Sequence, residues 1–167
     1  MDLVAFYQGK AADYQGRTLS QIWGWDDRRL EEQHDYIQVL FPLPEPSHFN
    51  RRAPLLDAAT LERFRTDPTI RANLLHSFGV MLRFYGFRRE EGTGQLVPAD
   101  NFAARADEWL WPGDHNHLRI TRILKCLTLC GLKSEAQAFL DALSALPDQE
   151  RVSDDSRWYW KDAVNAA

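Results

Sequence analysis

Apolar residues recur at three- and four-residue spacing along most of the chain, whereas runs that alternate apolar and polar residues are rare. The first pattern is typical of an amphipathic α-helix and the second of a half-buried strand. The helical pattern is clearest between residues 68 and 85, where one apolar stripe contains Ile70, Leu74, Phe78, Met81, Leu82 and Tyr85. We therefore predict an all-α fold.

Residues that start and stop helices divide this pattern into eight or nine helices. Thr18 and Asp57 are typical N-caps, and Asp67-Pro68 puts a cap before a proline at the first helical position. Gly86 follows an apolar stripe and is suited to end that helix in a left-handed conformation. The predicted helices cover residues 2–7, 18–23, 27–40, 58–65, 68–85, 98–110, 115–130, 134–146 and 154–164. Residues 90–95, with two glycines, are predicted to form an exposed turn or a short hairpin.

Length and composition point to one ordinary globular domain. A chain of 167 residues can bury a substantial core. Its net charge of −4 argues against a general nucleic-acid binder, which would carry a basic surface. No apolar run reaches the length of a membrane span, and the N-terminus lacks a signal-peptide pattern. We expect a single irregular multi-helix domain over residues 1–167, soluble and cytoplasmic, without a transmembrane segment.

The predicted helix at 115–130 is apolar on nearly every side, yet it carries three cations. At about 100° per residue, His115, Arg119 and Arg122 share one arc, with Leu118 among them. A helix of this kind should be largely enclosed, and buried guanidinium groups need partners because an unpaired buried charge is costly.

Two kinds of partner remain open for these arginines. One is an internal ion network, which we favour because paired ions often serve architecture. Its candidate carboxylates are Glu31, Glu32, Asp35, Asp107 and Glu108. The other is an anionic ligand. A helix that starts at Asp114 or His115 favours an anion at its N-terminus, and Arg119 with Arg122 could hold a carboxylate or phosphate bidentately.

Other chemical candidates are weaker. His115 and His117 stand two residues apart, and on a helix such side chains point about 200° apart, which does not suit one metal ion. No metal or cofactor is expected.

Cys126 and Cys130 are read as small buried hydrophobic residues kept reduced. Six tryptophans form three Trp-x-Trp pairs, which either fill gaps between helices or line a cleft for an aromatic or cationic group.

Several motifs occur in a fixed order along the chain. They are Leu30-Glu31 with His34-Asp35-Tyr36-Ile37-Gln38-Val39-Leu40-Phe41-Pro42, Asn50 with Ala53-Pro54-Leu55, Met81-Leu82-Arg83-Phe84-Tyr85-Gly86, and His115-Asn116 with Leu118-Arg119-Ile120-Thr121-Arg122-Ile123-Leu124. Together they resemble the conserved domain of the opioid growth factor receptor family over residues 6–132. The resemblance implies an all-α domain and, in animals, a nucleus-associated receptor for an enkephalin-type peptide. The chain carries neither the repeat tail nor a basic localisation run, so we expect a compact member.

We therefore predict a non-enzymatic binding module whose ligand is a peptide, a small carboxylate or other anion, or a protein partner. The predicted ligand-binding residues are Tyr36, Gln38, Arg83, His115, Asn116, Arg119 and Arg122. The alternative is a small enzyme. In that case His115 or His117 would act as general base, and Arg119 and Arg122 would stabilise developing negative charge.

Overall fold

The structure, a computed structural model, describes residues 1–48 and 50–166. The chain divides into two compact units, Met1–Val80 and Met81–Ala167. The described residues are mostly helical, as the apolar pattern predicts, and they add one small antiparallel sheet of two strands. No helix in this part of the chain has both the length and the apolarity needed to cross a membrane.

The first unit is built from short helices and the larger part of one long helix. Its elements are α1 (Leu3–Tyr7), α2 (Leu19–Trp23), α3 (Asp27–Glu32), α4 (Tyr36–Leu40), α5 (Ala58–Thr66) and the start of α6 (Pro68–Tyr85). Tyr7 is fully buried in this unit, edge-on to Phe64 at 4.7 Å, and its hydroxyl donates to the carbonyl of Leu40. Buried aromatic rings therefore join α1, α4 and α5.

The second unit begins with the last turn of α6 and continues through a hairpin into four helices. Its further elements are β1 (Phe87–Arg89), β2 (Leu96–Pro98), α7 (Phe102–Trp109), α8 (His115–Leu129), α9 (Lys133–Ser144), a 3-10 turn (Gln149–Arg151) and α10 (Asp154–Asn165). The strands pair with Phe87 opposite Pro98 and Arg89 opposite Leu96. Helix α8 packs against both α9 and α10, so it forms the middle of this unit.

The capping signals in the sequence mark true helix ends. Thr18 forms a capping box with Gln21 at the start of α2, and the Asp57 carboxylate accepts from the Thr60 amide at 2.8 Å. Gly86 ends α6 with φ of +82°. A Cβ atom there would lie 2.9 Å from the Cα of Phe102. Glycine is needed at this position for both reasons.

The single helix predicted over residues 27–40 is wrong, because the chain leaves the helical conformation at Gln33 and forms α3 and α4 separately. Asp35, the residue just before α4, is held by a distant part of the first unit. Its carboxylate pairs with Arg17 at 3.0 Å and accepts from the Tyr14 hydroxyl at 3.0 Å. Burial by itself raises the pKa of Asp35, but hydrogen bonds from Arg17, Gln15 and Tyr14 outweigh it and hold that pKa below its usual value.

The helix predicted at 98–110 begins later, at Phe102, because Pro98 belongs to β2. Pairing with β1 and the hydrogen bond from the Ala99 amide to the Gly86 carbonyl (2.8 Å) keep this stretch extended. The predicted turn at 90–95 is confirmed as the connection of a hairpin. The described residues thus contain ten α-helices, against the eight or nine expected.

Candidate functional site

The first turn of α8 holds the polar residues that the sequence singled out. Asp114 is its N-cap, and its carboxylate accepts from the Asn116 amide at 2.7 Å. Gly113, with φ of +79°, turns the chain immediately before this cap. The Asn116 side chain is fully buried, while the His115 side chain is partly exposed. The cap and the turn therefore direct one side chain inward and leave its neighbour within reach of solvent.

Arg119 lies one turn further along α8 and is 5% exposed. Its guanidinium donates to the Asn116 side-chain oxygen at 3.2 Å. Arg122, three residues on, is half-buried. Spacings of three and four residues bring these side chains to one face of the helix. We call His115, Asn116, Arg119 and Arg122 the α8 cationic cluster.

Helix α8 is enclosed on most sides, as its apolar composition predicts, but not on all. Leu118 is 57% exposed, whereas Ile120, Ile123 and Leu124 are fully buried. Three of the five carboxylates proposed as partners for its arginines pair with other arginines: Asp107 with Arg151 (3.7 Å), Glu32 with Arg28 (2.8 Å) and Asp35 with Arg17 (3.0 Å). An internal network between α8 and these groups stays a prediction.

The remaining predicted binding residues lie on other elements. Tyr36 and Gln38 belong to α4 in the first unit, where Tyr36 is fully buried and edge-on to Trp25 at 5.4 Å. With its amide nitrogen turned inward, Gln38 donates to the carbonyls of His34 (3.2 Å) and Asp35 (2.9 Å). These contacts account for both side chains structurally. Arg83 is exposed in the last turn of α6. As ligand contacts, all three stay a prediction.

His117, one of the two candidate general bases, lies on α8 where that helix packs against α10, and it is only 2% exposed. Its ring is edge-on to Trp109 at 6.4 Å and to Trp160 at 5.5 Å, and its Nδ1 lies 3.4 Å from the Ser156 hydroxyl. Burial lowers the pKa of His117, which favours the neutral ring. An enclosed histidine of this kind serves packing, and it gives no support to the enzyme hypothesis.

The cysteines and histidines of the described residues form neither a reactive thiol nor a metal site. The thiols of Cys126 and Cys130 are fully buried, with their Sγ atoms 4.0 Å apart. Burial, and after it the neighbouring thiol, raises the pKa of Cys126 well above its usual value, so it is a protonated thiol rather than a nucleophile. Within residues 1–48 and 50–166, no group of three histidine, cysteine or acidic side chains is arranged to hold a metal ion.

Two of the tryptophan pairs have one buried and one exposed member, a division that neither sequence interpretation of the pairs contains. Trp109 and Trp160 are buried, whereas their partners Trp111 and Trp158 are 52% and 60% exposed. For Trp158 and Trp160, a two-residue spacing on a helix already implies opposite directions, about 200° apart. That spacing was the available signal for the exposed ring on α10.

Comparison with known proteins supports the resemblance seen in the motifs. Residues 4–154 match the family model described as the opioid growth factor receptor (OGFr) conserved region. The opioid growth factor receptor of Rattus norvegicus is 45% identical over 135 residues, which cover 78% of this chain and 23% of that protein. That of Homo sapiens is 43% identical over 116 residues, covering 69% of this chain and 17% of that protein.

Opioid growth factor receptor-like protein 1 of Mus musculus is 41% identical over 113 residues, or 67% of this chain and 24% of that protein. The matched region is thus less than a quarter of the length of each of these relatives. No solved structure matches the chain. The family model covers nearly the whole chain, so the chain belongs to the family defined by the opioid growth factor receptor conserved region.

Proposed function

We propose that this chain is a non-enzymatic binding module that recognises a peptide, or another ligand bearing a carboxylate, through the α8 cationic cluster. Family membership supports a role in recognition, since the relatives are named as receptors of an opioid growth factor. The observation that carries the proposal is the buried Arg119 guanidinium, oriented by the Asn116 side chain at 3.2 Å.

A guanidinium held in one orientation suits carboxylate recognition. Its planar fork can donate two parallel hydrogen bonds to a carboxylate, and little side-chain entropy is lost on binding when the fork is already ordered. Arg122 and His115, both partly accessible, flank Arg119 on the same face and would add positive charge and a hydrogen-bond donor. The positive end of the α8 dipole acts in the same direction.

We infer a cytoplasmic setting for this activity, because Cys126 and Cys130 are buried thiols whose Sγ atoms lie 4.0 Å apart, and such thiols stay reduced in the cytosol. A protein partner that presents a carboxylate would use the same cluster. The enzyme alternative gains nothing from the buried His117, and no observation favours it over binding.

The proposal is tested by a thermal-shift screen against small carboxylates, phosphate and an enkephalin-type peptide, followed by calorimetry on the ligands that stabilise the protein. Arg119→Ala should weaken binding at least about tenfold, because it removes a charge-assisted hydrogen bond worth about 1.5–3 kcal/mol. Its helical circular dichroism should stay intact. Arg88→Gln, which removes one exposed positive charge from β1, is the matched control and should bind normally.

This function is contradicted if Arg119→Ala keeps its helical circular dichroism and binds as tightly as the wild type. If Arg119→Ala unfolds the protein, Arg119 is architectural and the decision passes to Arg122→Gln, whose half-buried side chain is less critical for folding. If Arg122→Gln then binds as tightly as the wild type, the cluster is not the ligand site.

A further inference from the structure

Helix α10 has one buried side and one aromatic exposed side. Trp160 faces inward, where its indole nitrogen donates to the carbonyl of His117 at 3.0 Å, and Ala163 and Val164 are buried with it. On the other side, Trp158 is 60% exposed and Tyr159 is 51% exposed. Two large adjacent rings in solvent are unusual for a surface helix, since such rings are normally used in cores and interfaces.

The two rings are ordered against each other. Their centroids lie 5.1 Å apart, with the planes at 79°. Trp111, the other strongly exposed tryptophan, is different because the Arg151 guanidinium lies 4.4 Å from its ring centroid. That ring already has a cation of its own chain. Among the described residues, Trp158 makes its ring contact with Tyr159.

Two carboxylates lie on the same side of α10 as these rings. At about 100° per residue, Asp155 and Asp162 fall on the arc between Trp158 and Tyr159, while Lys161 falls beyond Trp158. Both aspartates are exposed. Asp154, at the start of the helix, pairs with Arg157. The exposed face thus offers ring faces and negative charge together. We call Asp155, Trp158, Tyr159 and Asp162 the α10 face.

This combination fits a cationic side chain. A guanidinium or ammonium is attracted to the face of an indole or phenol ring, and a neighbouring carboxylate can pair with the same group. Arginine suits both contacts best, because its planar group stacks on a ring and still donates in its own plane. The chain's net charge of −4 would also attract a basic partner at longer range.

We propose that the α10 face docks an arginine-rich segment of a partner protein. The family match ends at residue 154, where α10 begins. This surface is therefore separate from the matched region and independent of the proposed carboxylate site on α8. The partner recognised here is basic, whereas the ligand proposed for α8 is acidic.

The test measures binding to the protein by fluorescence anisotropy of a labelled peptide of alternating arginine and glycine. A labelled peptide of alternating glutamate and glycine, which carries the opposite charge, is the control. The arginine peptide should bind, with an affinity that falls as salt rises, and the glutamate peptide should not. Trp158→Ala should weaken binding about tenfold, since it removes the stronger cation–π contact. The double variant Asp155→Asn/Asp162→Asn should weaken it similarly. Both variants should keep the wild-type circular dichroism, because these side chains are exposed.

Matched controls separate this face from general electrostatics. Trp111→Ala removes an exposed tryptophan elsewhere, and Glu62→Gln/Glu91→Gln removes two exposed charges elsewhere. Neither should change the affinity. The proposal is overturned if the arginine peptide does not bind, if Trp158→Ala binds normally, or if the Glu62/Glu91 variant weakens binding as much as the Asp155/Asp162 variant. Self-association that Trp158→Ala abolishes would also overturn it, because a second copy would then be the occupant.

Discussion

The ring of His117 is edge-on to Trp109 at 6.4 Å and to Trp160 at 5.5 Å. Burial is the main cause that lowers its pKa, and the charge of Asp114 acts in the opposite direction. Protonating this ring inside the fold would put a positive charge in a nearly closed site. The neutral ring is therefore part of the packing between α8 and α10.

This environment makes stability depend on pH. The folded-state pKa of His117 is below the unfolded value of about 6.5, so the unfolded chain takes up a proton first as pH falls. The free energy of unfolding should then drop below pH 6.5, by at most about 1.4 kcal/mol per pH unit from this group. His117→Phe keeps an aromatic ring there and cannot titrate. Urea denaturation should give a flatter pH dependence for the variant between about pH 7 and pH 5; parallel curves would show that His117 is not responsible.

Two glycines between secondary-structure elements differ in what a side chain would cost there: one would add backbone strain and steric overlap, the other backbone strain only. Gly86 ends α6 with a positive φ, and a Cβ atom there would meet the backbone of Phe102 at 2.9 Å. Gly92, in the hairpin turn, has φ of +87°, but a Cβ atom there would meet nothing within 4 Å. The backbone strain is comparable in the two positions, and the steric overlap belongs to Gly86 alone.

Gly86→Ala should therefore lower the free energy of unfolding by about 2–3 kcal/mol, the sum of left-handed strain and a forced shift of α7. Gly92→Ala should cost about 1 kcal/mol from strain alone. Urea denaturation of both variants at neutral pH measures the difference. Equal losses would mean that α7 moves freely and that the close approach at Gly86 carries no energy.

Local signals in the sequence predict most of the helices but not their exact number. The helix ends predicted at Thr18, Asp57 and Gly86 are confirmed, because a cap or a terminator acts through its own few neighbours. The break between α3 and α4 has no such local signal: the chain turns extended at Gln33, and the nearby Asp35 meets Arg17, a contact across 18 positions of the chain. Pro98 was misassigned for a similar reason, because its strand pairing with Phe87 is not a local property.

The candidate site was predictable in part. Helical spacing correctly groups His115, Arg119 and Arg122, because that arrangement follows from the geometry of one helix. Spacing could not show that Arg119 is buried and held by Asn116, or that His117 lies between two tryptophans contributed by α7 and α10. Burial is decided by packing between elements, and a periodic pattern only suggests it.

At the scale of the whole chain, two surfaces of opposite character emerge on the second unit. The α8 cationic cluster lies inside the family match, and the α10 face begins where that match ends. The site proposed on α8 therefore lies in the part of the chain that resembles the relatives, and the site proposed on α10 lies outside it. The matched region is less than a quarter of the length of each of those relatives. Activities that belong to the remaining segments of the relatives therefore do not transfer to this chain.

The proposed function depends on one property, the recognition of a carboxylate by the α8 cationic cluster. The most direct measurement is a pair of calorimetric titrations of the wild-type chain, one with an enkephalin-type peptide that ends in a free carboxylate and one with its C-terminal amide. The amide lacks the negative charge of the carboxylate and so loses its charge-assisted hydrogen bond to the cluster. The acid form should therefore bind at least about tenfold more tightly than the amide. If the peptide does not bind, the same comparison is made with the small carboxylate that stabilises the protein most and with its amide. Equal affinity for the acid and the amide would show that the cluster does not recognise a carboxylate.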